Sequence, residues 1–149
     1  MKMVEATFIA SGNSMEEAIE FAASLTHKMI VGDNGFLQAD SLDIFCSSIE
    51  DANHLNDILW EKPTFSVITH NLANSAENDL VKIGYPGTKF SLGSEIIMNL
   101  SPEIPKNLDS YKNYLQLVVM DGGKLRERAA STWTKCNKMG LSTQFIESI

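Results

Sequence analysis

The sequence predicts an α+β fold, an α/β sandwich whose first half runs in the ferredoxin-like order βαββαβ and whose second half adds a further βα unit to the same sheet. Three observations carry this expectation. A strand passes directly into a capped helix at residues 4–29, an Asn-Gly pair separates two short apolar runs near residue 34, and strand, glycine turn and helix recur at 115–139.

The first unit is the best defined. Val4, Ala6, Phe8 and Ala10 alternate with Thr7 and Ile9, so both faces of the strand read as buried. Ser14 and Glu17 have the Ser-x-x-Glu spacing of a capping box, in which hydroxyl and carboxylate satisfy orphaned amides at a helix start. Ala18, Ala22, Leu25 and Met29 then repeat on one helical face, with acids in the first turns and His27 and Lys28 in the last.

The apolar run Met29–Val31, the turn Gly32-Asp33-Asn34-Gly35 and the run after it suggest a tight hairpin. Leu42–Cys46 alternates as a strand, and Ser48 with Asp51 caps a second helix striped by Ala52, Leu55, Ile58 and Leu59. Pro63 ends that helix, and residues 64–69 read as a fourth strand. Beyond it the pattern predicts a short helix over 74–83, a turn at 84–87, an extended stretch over 90–98 with a bulge at Gly93, and a loop at 101–105. Residues 115–120 form the most apolar strand candidate, which places it inside the sheet. A helix follows from Leu125 to Met139, with Gly140 at its C′ position and an edge strand or tail from Ser142.

Length and composition favour one domain, 1–149, with ample core: 44% of the 149 residues are hydrophobic. A formal charge of −7 argues against non-specific nucleic-acid binding, which depends on neutralising phosphates with Lys and Arg. Cys46 and Cys136 have no ligand or disulfide-framework spacing and read as buried, reduced thiols. No leader pattern and no run of the ~20 apolar residues needed to span a membrane is present, so a cytoplasmic protein with no membrane partner is expected.

Candidate chemistry is sparse. The turns Ser11-Gly12-Asn13-Ser14 and Asp121-Gly122-Gly123-Lys124 each join a strand to a helix, and such positions offer free amides and a positive dipole to an anion. Neither matches a nucleotide fingerprint, and the plainer reading is that Ser14 caps and the glycines turn. His70, at the end of the fourth expected strand, is the one histidine placed to act as an acid or base; His27 and His54 fall on polar helix faces. No nucleophile elbow, metal motif or cofactor motif occurs. Paired acids such as Glu16-Glu17 and Glu50-Asp51 are explained by helix dipoles.

These features favour a small acidic binding protein of accessory or inhibitor type over an enzyme. Its expected partner is a protein or a small anionic ligand, held by Ser11, Gly12, Asn13, Ser14, His70, Asp121, Gly122, Gly123 and Lys124 without cofactor or metal, and it is expected to form a homo-oligomer. The competing reading is a small hydrolase or transferase for a nucleotide or phosphorylated substrate, with His70 as acid or base, Lys124 stabilising charge and Asp121 orienting. The first reading requires the two glycine turns to meet; the second requires His70 to reach them.

Overall fold

The computed structural model describes residues 4–31, 38–61, 70–72, 80–90, 93–101, 103–105 and 108–147. Seven strands form one sheet: β1 (Glu5–Ala10), β2 (Leu42–Phe45), β3 (His70–Leu72), β4 (Val81–Gly84), β5 (Ile96–Asn99), β6 (Asn113–Val118) and β7 (Ser142–Ile146). The helices are α1 (Met15–Val31), α2 (Ile49–Glu61) and α3 (Lys124–Lys138). Strand order is β3-β4-β2-β5-β6-β1-β7, and every described pairing is parallel.

A mixed α/β architecture therefore holds, but the ferredoxin-like topology is not found. The Asn34-Gly35 turn lies outside the described residues, as does the expected strand at 64–69. Met29–Val31, expected to enter a hairpin, instead completes α1. Two-sided burial is the mark of a parallel sheet covered on both faces. β1 has it, with Ala6 and Phe8 in one core cluster and Ile9 in the other.

Alternation along each strand sorts the side chains onto two faces. The first face carries Ile9, Leu42, Ile44, Val81, Ile83, Ile96, Met98, Leu115 and Leu117, and α1 and α2 close over it. The expected stripes of both helices are buried there: Ala18, Ala22, Leu25 and Met29 on α1, and Ala52, Leu55, Ile58 and Leu59 on α2. Ile83, expected on a helix, belongs to β4. Only 80–83 of that expected helix and its neighbouring residues 70–72 are described; 74–79 lie outside.

The second face carries Ala6, Phe8, Ile97, Tyr114 and Val118, covered by α3 through Ala129 and Cys136 and by Leu108 and Tyr111 from the β5–β6 connection. Trp133 meets Phe8 edge-on, ring centroids 5.1 Å apart. Tyr114 is a fully buried β6 residue. The expected extended stretch at 90–98 narrows to β5, with Gly93 in a turn at φ +134°.

Candidate functional site

β1 and β6 are neighbours, so the two glycine turns that follow them meet at the carboxyl edge of the sheet. The Ser11 amide and hydroxyl both donate to the Val118 carbonyl, each at 3.0 Å, and the Met120 amide donates to the Gly12 carbonyl at 2.7 Å. Gly12 has φ +106°, and a Cβ there would fall 2.6 Å from Glu17 Cβ, so the position requires glycine.

The anion positions at both helix starts are already filled from within. Ser14 Oγ accepts from the Glu17 amide at 3.2 Å, and Glu17 Oε1 accepts from the Asn13 amide at 2.9 Å. At α3, Asp121 Oδ1 accepts from the amides of Gly123 (2.9 Å) and Arg126 (3.2 Å), and Oδ2 from Leu125 (3.4 Å). These bonds, that of Gly123 foremost, hold the Asp121 carboxyl below its ordinary value. An incoming anion would face a carboxylate at either turn. Gly122 makes the turn at φ +70°, Gly123 is the N-cap, and Lys124 is the exposed first residue of α3.

His70 is remote from both. It opens β3 at the far edge of the sheet, four strand spacings from β6, roughly 19 Å at ~4.8 Å per spacing. It also starts its strand, whereas the turns follow theirs. A general base must come within about 3 Å of the group it serves, so His70, Lys124 and Asp121 form no catalytic set. Among the described residues no cluster of three or more His, Cys, Asp or Glu is arranged to hold a metal ion. Cys46 and Cys136 are both buried, and burial pushes their thiols up to about 12 and about 11.

The distinctive surface lies on the second face. α3 covers its β1 and β6 side and leaves a groove of about 1320 Å³ above β2 and β5. Phe45, Phe90, Ile97, Ile104 and Leu125 supply apolar walls, and Arg128 stands at the α3 side. Polar residues buried in the strands hold these walls. Tyr111 donates to Asp43 Oδ2 at 2.6 Å, and Lys82 Nζ lies 3.8 Å from Asp43 Oδ1. Burial raises the Asp43 carboxyl above its ordinary value, while Tyr111 and Lys82 oppose that rise. Burial also raises the Tyr111 hydroxyl, reinforced by the Asp43 charge.

A second network pins the loop after β5. Asn99 Nδ2 donates to Gln116 Oε1 (2.9 Å) and to the Glu103 carbonyl (2.7 Å), while Gln116 Nε2 donates to the Ser101 carbonyl (2.9 Å). The Tyr114 hydroxyl also donates to Gln116 Oε1. Ser101, Glu103, Ile104 and Pro105 are groove-wall residues, so this network sets the shape of the groove.

Beside the groove, α3 carries five of the twelve Lys and Arg of the chain and one of its nineteen acids, a net +4, so the remaining residues carry −11. Lys124, Arg126, Arg128, Lys135 and Lys138 are all exposed. The ion pairs Lys82–Asp43 and Lys112–Glu95 lie elsewhere, and among the described residues no acid comes within ion-pair distance of the α3 bases. Whole-chain charge concealed this asymmetry; charge counted element by element reveals it. Asp43 and Gln116 were readable as polar interruptions of expected strands, whereas Lys82 fell in an expected helix and Asn99 just past the expected extended stretch.

A doubly wound parallel sheet with a cationic helix beside a structured apolar groove has the makings of an association module. The comparison with known families agrees: residues 3–144 match the DNA polymerase III chi subunit, HolC, and the chain belongs to that family. No individual curated protein matches it. Membership overturns the expectation of a small-anion binder of inhibitor type and the hydrolase or transferase alternative, because the family is a polymerase subunit. Association with protein partners stands. Among the described residues, no helix is long and apolar enough to cross a membrane.

Proposed function

We propose that the chain works in the cytoplasm as a single-domain subunit of DNA polymerase III, and that it joins the assembly by docking an acidic, partly apolar segment of another subunit along α3 and the adjoining groove. The observation that carries this reading is the unneutralised +4 of α3 in a chain of net −7, placed against an apolar groove. Charge complementarity of this kind speeds encounter and selects partners, while apolar walls supply the buried area that holds them. A duplex or single strand of DNA is the weaker occupant, because the remaining −11 would repel a polyanion that runs past the helix.

The test is Arg128→Glu, with Lys124→Glu beside it, measured for affinity to the other DNA polymerase III subunits from the same source at two salt concentrations. Arg128→Glu should weaken binding by about tenfold or more, with the loss shrinking at high salt. Unchanged affinity, or a loss confined to an oligonucleotide probe, overturns the reading.

A further inference from the structure

The edge of the sheet formed by β7 is a second surface, independent of the groove. β7 pairs with β1 on one side, and among the described residues no strand lies on its other side. Its outward amides and carbonyls are therefore available to an added strand. Proteins commonly blunt such an edge with Lys, Pro, a bulge or a covering loop. Ser142-Thr143-Gln144-Phe145-Ile146 contains neither Lys nor Pro, and its register against Glu5–Ile9 runs unbroken.

The edge is also held in place. Thr143 Oγ1 donates to Asn137 Oδ1 of α3 at 2.7 Å, and Gln144 Nε2 donates to Thr7 Oγ1 at 3.2 Å. Apolar surface lies beside it: Phe145 is 44% exposed, and Met139, between α3 and β7, is 57% exposed. A shallow cavity of about 360 Å³ lies over the β1–β7 pair, lined by Glu5, Ala6, Thr7 and Ser142–Gln144.

Charge selects the occupant. Lys135 and Lys138 stand in the last turn of α3, just before β7. Edge-to-edge pairing of two copies would set two +4 helices on neighbouring ground. Lys135 and Lys138 attract a strand whose acidic residues lie beside the end of α3, between the exposed Glu5 and Glu147 at the ends of the β1–β7 pair. We propose that β7 is a docking edge that accepts an extended acidic segment of a protein partner as an eighth strand.

Hydrogen exchange on the full chain, alone and assembled with the other DNA polymerase III subunits, tests this. In the free chain, part of the amides of residues 142–146 should exchange rapidly at any protein concentration, and assembly should slow them by about tenfold or more. Phe145→Glu should abolish that slowing, whereas Arg128→Glu should leave it at any residual occupancy, which separates this proposal from the groove reading. Circular dichroism establishes that Phe145→Glu folds, and the wild-type comparison stands without it. Unchanged exchange on assembly, slowing that survives Phe145→Glu, or protection of the isolated chain that grows with its concentration, as self-pairing would give, overturns the proposal.

Discussion

The two faces of the sheet are built from the same strands by opposite rules. On the α1 and α2 face, the buried residues that β2, β4, β5 and β6 present are aliphatic, with Met98. One residue along each strand, the other face receives Asp43, Lys82, Asn99 and Gln116, all buried. The first face is closed by two helices whose stripes fit it and needs nothing beyond apolar packing. The second is closed by one helix and by loops, and loops need hydrogen bonds to hold a fixed shape. The polar residues are the means by which an irregular cover, and the groove in it, is made definite.

The largest expected effect falls where the polar face is cut most directly. Asp43→Ala removes the carboxylate that Lys82 and Tyr111 face, and should cost about 3–5 kcal/mol in a urea titration, as loss of one member of a buried pair does. A loss below that of Ile44→Ala, on the closed face, would mean that the polar residues are incidental. A matched pair tests the helices in the same way. The triplet Ala22-Ala23-Ser24 of α1 recurs as Ala129-Ala130-Ser131 of α3, yet Ala23 is buried and Ala130 exposed. Ala23→Leu should destabilise by about 1–3 kcal/mol through overpacking, and Ala130→Leu should stay within about 0.5 kcal/mol.

Gln116→Leu, which strips acceptor and donor from the Asn99 network, should cost about 1–3 kcal/mol and weaken partner binding through the loop it pins. Asp43 also sets a pH dependence. Its folded value is raised by burial, so its contribution to stability is fully present below the ordinary 3.8 and is lost as pH rises through the folded value. Asp43→Asn, which keeps an acceptor for Tyr111, should remove that decline; parallel slopes for both proteins would contradict it. The smallest signal is chemical. Neither thiol should react with a disulfide reagent at pH 8 until the chain unfolds, when both should.

The sequence disclosed local structure better than arrangement. Capping residues and 3.6-residue spacing placed α1, α2 and α3, because those signals act within a few turns of chain. β4 was misread as a helix end: Leu80 and Ile83 have helical spacing, while Val81 and Ile83 also alternate, and four residues cannot arbitrate between the two. Strand order was not readable, since the pairing of β2 between β4 and β5 depends on contacts distant in sequence. The Ser11–Ser14 turn is hydrogen-bonded to Val118 and Met120, just ahead of the Asp121–Lys124 turn. Their own capping carboxylates decide what they can do, and the groove and cationic helix beside them were concealed by a charge averaged over the whole chain.

The position of β1 has a consequence for synthesis. Glu5 lies opposite Asn113 of β6 and Ser142 of β7, so the first strand has no neighbour until the last third of the chain exists. At translation speeds of ~5–20 residues per second, β1 waits on the order of ten seconds for the strands that flank it. Long-range parallel pairing of this kind also closes slowly. The nascent chain thus completes β1 and α1 well before the two strands between which β1 is held.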